Sequence, residues 1–202
     1  MCSQDSIISP NLLSTFDKVV IEIGCGDGQL LEGVINYENN PNTCYVGIEI
    51  DAVQIQNARD RMTGKNIFLI NESIEKVIPL LPDNYVDQFI LVLPPPKYID
   101  REMESQWSLL YEKIYKKLKG KGILTVVTEV TNDLLEPVSN DEFRSWKTWI
   151  ASSFVIFGFT LREIFNEYPL HYRSHFLEQF RADQLRIKII TLILEKPHYK
   201  SI

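Results

Sequence analysis

The residues best suited to chemistry lie in one short run, EIGCGDG, at positions 22–28. Gly24, Gly26 and Gly28 alternate there, and with no Cβ they let the backbone turn tightly and come close to a ligand. Residues 19–23 before them are apolar and rich in β-branched side chains, which reads as a buried parallel strand. Leu30, Leu31, Val34 and Ile35 after them begin a helical pattern. Its unpaired N–H groups and positive dipole end face the loop, a setting that suits a cofactor carboxylate. A dinucleotide loop would read G-x-G-x-x-G, but position 29 is Gln and the third glycine comes one residue early, which argues against a nicotinamide cofactor. Glu49 ends a second apolar strand, CYVGIEID, on the order of 20 residues beyond the loop, where an acid can accept hydrogen bonds from both hydroxyls of a ribose.

Such a loop works only if a sheet presents it, and the chain has the means to build one. Its 202 residues are 45% hydrophobic, enough for one α/β core. We expect an N-terminal arm or short helix over 1–17 and a single domain over 18–202. The opening MCSQDSIISPNLLSTFD has no basic stretch followed by an apolar one, and no later apolar run approaches the roughly 18 residues of a membrane span. A soluble, cytoplasmic protein with no membrane association is therefore expected. Cys2, Cys25 and Cys44 are odd in number and match no zinc spacing, which suits a reducing compartment and no metal. The net charge of −6 argues against a surface that binds nucleic acid all over, but not against a local basic face. Lys113, Lys116, Lys117, Lys119 and Lys121 form one cluster, and Arg173, His175, Arg181, Arg186 and Lys188 another.

The remaining elements follow from periodicity. Asp51 caps a helix in which Ala52, Ile55, Arg59 and Met62 share a face and Gly64 marks the end. A third strand, NIFLINES, ends at Asn71, Glu72 and Ser73, and Glu72 reads either as a cofactor contact or as a cap for the helix SIEKVIPLL. A fourth strand over 85–93 runs into three prolines and Lys97, a stiff extended exit at the cofactor edge. Met103, Trp107, Leu110, Ile114 and Leu118 trace a helix closed by Gly120 and Gly122, with GILTVVTE as the fifth strand. Phe143, Trp146, Trp149 or Ile150, and Phe154 face the core from a further helix, and GFTLREIFNE and LRIKIITLILEK form an antiparallel closing pair.

With the EIGCGDG loop, this pattern resembles the class I S-adenosylmethionine (SAM) methyltransferases. The resemblance implies a Rossmann-like α/β fold: a seven-stranded, mostly parallel sheet with an antiparallel C-terminal hairpin and helices on both faces. A finer resemblance is to the tRNA (guanine-N7)-methyltransferase family. That family has an EIGCG-type loop, a V-G-I-E second strand as at 46–49, and an acid–small pair like Glu72-Ser73. It has D-P-W-P-K where this chain has LPPPK at 93–97, and T-x-[YF]-E where this chain has SHFLEQF at 174–180. Leu93 replaces the family's acid and Pro95 its tryptophan, while Pro94, Pro96 and Lys97 match; the later glutamate is displaced to Glu178.

The resemblance implies an enzyme, monomeric or homodimeric, that moves a methyl group from SAM to guanine N7 in tRNA. It implies cofactor contacts from Glu22, Gly24, Cys25, Gly26, Asp27, Gly28, Glu49, Ile50, Glu72, Ser73 and Leu93. Catalytic roles fall to Pro96, Lys97, Arg101 and Glu178, and substrate contacts to Lys97, Arg101, Ser174, His175, Phe176 and Glu178. Both basic clusters are expected on one rim of the pocket, tracking the RNA backbone. Leu93 leaves three alternatives open: a relocated acid, a small-molecule or protein acceptor, or a non-catalytic subunit that binds RNA or a partner.

Overall fold

The computed structural model describes residues 13–131, 136–181 and 183–198, so the expected arm lies largely outside the described residues. Strands β1 (Lys18–Ile23), β2 (Thr43–Glu49), β3 (Ile67–Asn71), β4 (Val86–Val92), β5 (Leu118–Thr131), β6 (Thr160–Phe165) and β7 (Ile187–Glu195) form one sheet in the order β3-β2-β1-β4-β5-β7-β6. The first five pair in parallel, and β7 runs antiparallel between β5 and β6. This is the expected Rossmann-like sheet. The strand order reverses at β1, which has β2 on one side and β4 on the other, so a crevice opens at the carboxyl ends of these strands.

The connecting helices are α1 (Gln29–Glu38), α2 (Ala52–Arg61), the single turn α3 (Ile74–Val77), α4 (Glu104–Lys117), α5 (Asn140–Ile156) and α6 (His175–Arg181). They cover both faces of the sheet, which is why β1 reads as a continuous apolar run. Val19, Ile21 and Ile23 join a core with Trp107, Tyr111 and Phe154. Val20 turns to the other face, against Leu30, Leu31 and Val34 of α1. Among the described residues no helix is long and apolar enough to cross a membrane.

Several local expectations are corrected. The buried stripe of α2 is Ile55 and Ala58, continued by Met62, whereas Ala52 and Arg59 face outward. A 3.6-residue period carries Ile55 to Ala58 and Met62, and leaves Arg59 to reach the Leu69 carbonyl from the surface. Helix α4 ends at Lys117, and β5 starts at Leu118 and runs through Gly120 and Gly122 rather than starting at Gly122. Its register with β4 jumps from Val86↔Leu118 to Gln88↔Ile123, so the glycines sit in a bulge. The three prolines do not stay extended: Pro95 is extended, but Pro96–Tyr98 forms a 3₁₀ turn. A proline at the first helical position forfeits no hydrogen bond there. The SHFLEQF segment is helical, as α6.

Apart from Lys113, which lines a cleft with Lys97 and Glu75, the lysine-rich cluster does not share a rim with the cofactor edge. Helix α4 returns antiparallel to the strands, so its last turn delivers Lys116 and Lys117 to the start of β5, at the opposite edge. There Lys117 pairs with Asp83 and Lys119 with Asp87, each at 2.7 Å.

Candidate cofactor and acceptor site

The glycine loop owes its shape to left-handed backbone. Gly24, Gly26 and Gly28 have φ of +76°, +52° and +81°. A Cβ on Gly24 or Gly26 would meet nothing within 4 Å, because both open into the crevice. One on Gly28 would lie 2.4 Å from Met62 Cε and 3.0 Å from Ala58 Cβ, so this glycine lets α1 seat against α2. The Gly24 and Cys25 N–H groups both donate to the Ile48 carbonyl, at 2.8 and 3.1 Å, which ties the loop to the end of β2. Replacing Gly28 with Ala combines a left-handed Cβ with that contact and is expected to lower stability by about 2–4 kcal/mol, read as a lower urea midpoint.

Acids converge on this loop. Glu49 Oε2 accepts from the Gly26 N–H and Oε1 from the Asp51 N–H, each at 2.9 Å, which fixes the carboxylate at the tip of β2. Asp27 pairs with Arg61 at 3.1 Å and accepts from Gln29 Nε2 at 2.7 Å. Glu22 lies beneath them, 3% exposed, and its Oε2 has no hydrogen-bond partner. Burial, then the nearby Glu49 and Asp27 charges, push its carboxyl up to about 8.

Two cavities meet at Gly24 and Glu49. One, of about 650 Å³, is walled by Glu22, Asp27, Gln29 and the start of α6. The other, of about 330 Å³, is walled by Ile50, Glu72, Ser73, Ile74, Leu93 and Pro94. The crevice is thus acidic at one end and largely apolar at the other, with a fixed carboxylate between. A buried carboxylate oxygen without a partner at the acidic end fits a ligand ammonium, Glu49 fits a ribose, and the apolar slot fits a purine. These residues suit SAM.

The sequence-derived residues divide accordingly. Glu22, Gly24, Cys25, Gly26, Asp27, Glu49, Ile50, Glu72, Ser73 and Leu93 line one or both cavities, while Gly28 supports the loop from behind. Glu72 accepts from the Ser73 N–H at 2.8 Å and pairs with Lys76; the cap position of α3 itself belongs to Ser73. Ser174, His175 and Phe176 enter the crevice from α6 and its lead-in. Lys97 reaches the slot but lies 3.6 Å from Glu75 and over the Tyr98 ring, so it is already paired. Arg101 stacks on Trp149 at a separate cleft, and Pro96 and Glu178 line neither cavity. Among the described residues no group of three or more His, Cys, Asp or Glu could hold a metal ion.

Two residues escaped the sequence reading. Gln29, read there only as a departure from a dinucleotide loop, accepts from the His175 N–H at 2.9 Å and so latches α6 to Asp27. Glu129 of β5 has a buried Oε2 without a partner, and burial pushes its carboxyl up to about 7. It stands one strand from Leu93: Val92 pairs with Val127, and the Leu93 N–H donates to the Val127 carbonyl at 2.8 Å. An acid inside a β-branched run was the available signal. Leu93 itself has φ of +47°, strained for a branched side chain and easier for Asp or Asn.

Comparison with known proteins agrees with this geometry. Residues 15–182 match the methyltransferase domain family. The tRNA (guanine-N(7)-)-methyltransferase of Campylobacter fetus is 36% identical over 84 residues, 40% of this chain and 21% of that protein. The one from Rhizobium etli is 26% identical over 140 residues, 66% of this chain and 59% of that protein. The chain thus spans only part of the length of these relatives. Among solved structures, the 16S rRNA methyltransferase KamB superposes with a TM-score of 0.69 at 14% identity, covering 93% of this chain and 92% of that one. An S-adenosylmethionine-dependent methyltransferase from Listeria monocytogenes does so at 0.63 and 15%, covering 96% of each chain. A sheet of this order, a glycine loop at its switch point and a match over most of its length place this chain in the methyltransferase domain family, with S-adenosylmethionine as its cofactor.

Proposed function

We propose that the protein methylates N7 of a guanine in tRNA. The observation that carries this reading is Glu129, a half-buried acid whose Oε2 is enclosed and has no hydrogen-bond partner, one strand from the position where the tRNA (guanine-N7) family has its acid. The partial matches to enzymes of that name support it. The bound cofactor supplies an electrophilic methyl on a sulfonium.

The chain's own residues hold and orient. Glu22 and Asp27 face the amino-acid end, Glu49 takes the ribose, and Ile50, Ile74 and the Glu72-Ser73 pair border the purine. Guanine N7 carries a free lone pair, so no general base is required. Alignment supplies most of the rate. Glu129 accepts hydrogen bonds from the N–H groups of the guanine edge, which fixes the base with N7 toward the methyl. Phe176, Pro94 and Pro95 line the apolar cavity beside it. Glu129 lines neither cavity and shares its sheet face with Val127, in the cluster that includes Tyr172 and Leu177.

The net charge of −6 favours a second reading, a small-molecule or protein acceptor. Incubating the purified protein with labelled SAM and bulk tRNA, then mapping the modified nucleotide, separates the two. Label in 7-methylguanine is expected. No label in RNA, or label on another base, overturns the proposal.

A further inference from the structure

Across α6 from the cofactor crevice lies a second cleft of about 330 Å³, with none of its lining residues shared with the crevice. Phe143 of α5 and Phe180 of α6 give it aromatic walls, and Arg181 and Lys188 line it as well. Among the described residues, neither cation has a carboxylate within ion-pair distance, and Glu167 is the one acid in the lining. Helix α6 joins the two sites. Phe176 faces the crevice and Phe180, one turn on, the second cleft, with ring centroids 5.0 Å apart. Both clefts open on the same edge of the sheet, because the start of β7 lies beside the end of β5.

We infer that this second cleft binds the nucleotide next to the target base in a single-stranded RNA segment. This rests on the RNA reading above. The aromatic walls take the flanking base, since every base has a face that stacks on an aromatic ring. Arg181 and Lys188 take its phosphate, and Glu167 and Gln184 on the lining can meet base-edge N–H groups. A mononucleotide would fill only the acceptor position. An oligonucleotide would use both sites, which makes the true substrate a polynucleotide with an unstacked step.

The test measures fluorescence anisotropy of a short single-stranded oligoribonucleotide centred on guanine, with S-adenosylhomocysteine present. Phe180→Ala, and separately the pair Arg181→Gln and Lys188→Gln, are each expected to weaken binding about tenfold. The charge pair is also expected to flatten the salt dependence, by about 0.7 in the log–log slope for each phosphate that is no longer neutralised. Unchanged melting temperature and S-adenosylhomocysteine affinity show that the variants are folded. If wild type binds the oligonucleotide and the folded variants bind it equally well, the inference falls alone. Failure of wild type to bind any RNA overturns the RNA reading with it, and tighter binding of an acidic peptide than of the oligonucleotide overturns the nucleotide assignment.

Discussion

Glu129→Gln is expected to lower kcat/KM for RNA methylation by about 10- to 100-fold while leaving S-adenosylhomocysteine affinity unchanged. The size follows from losing a hydrogen bond to a charged acceptor, worth about 1.5–3 kcal/mol. An amide can accept one N–H but turns its other arm, a donor, toward the second. The pH profile distinguishes this role from a structural one. Burial raises the Glu129 carboxyl to about 7, so the group is neutral below that value and ionised above it. Wild-type kcat/KM is expected to rise between about pH 6 and 8, and the Gln variant to lack that limb. A variant with full activity, or one whose profile keeps the limb, removes Glu129 from acceptor recognition. Glu129→Asp, which keeps the charge one methylene short, is expected to retain the limb at reduced rate.

Glu22→Gln is expected to act in opposite directions on stability and on cofactor binding. Glu22 carries a folded-state value of about 8 against an ordinary 4.5, and Glu129 one of about 7. Between pH 4.5 and 8 the folded protein therefore holds more protons than the unfolded chain, and stability falls as pH rises through that window. The slope is at most about 1.4 kcal/mol per pH unit for each group. Removing the buried charge at Glu22 is expected to raise the melting temperature at pH 8 by about 5 °C and to flatten its pH dependence below that value. The same change removes the carboxylate proposed to meet the ligand ammonium, so affinity for S-adenosylhomocysteine is expected to drop about 10- to 100-fold. Wild-type binding is expected to release a proton near pH 7, because the arriving cation favours the ionised acid, and binding to the Gln variant is expected to release none. Calorimetry in buffers of different ionisation enthalpy reads that proton directly. Equal affinity in the two proteins would place the ligand elsewhere.

How much of this could be read from the chain alone depends on the range of the interaction. The cofactor loop is local: glycines at positions 24, 26 and 28 demand left-handed backbone, and the apolar run before them demands burial on both faces. Glu49 is nearly as local, since a strand of known length must bring its last residue to the sheet edge beside the loop. Periodicity alone located every strand and most helices, because the burial that stabilises each is written in residues a few positions apart. It missed where Arg59 points and where β5 begins, since helix phase and strand register are settled by packing partners rather than by propensity.

The acceptor side was not legible in that way. Arg101 and Lys97 follow the prolines directly in sequence, yet one stacks on Trp149 and the other pairs with Glu75. Lys116 and Lys117 of α4 look like part of a nucleic-acid face until the crossover direction carries them to the far edge. Gln29 gains its importance from His175, 146 positions away, through a single hydrogen bond. The role proposed for Glu129 rests on its nearness to Leu93, on the neighbouring strand, through the β4–β5 register. The sequence by itself determined the fold class and the cofactor loop, because both rest on short-range backbone and burial preferences. Only the tertiary structure decided which charged groups share the crevice, because that depends on strand order, helix direction and the desolvation that burial imposes.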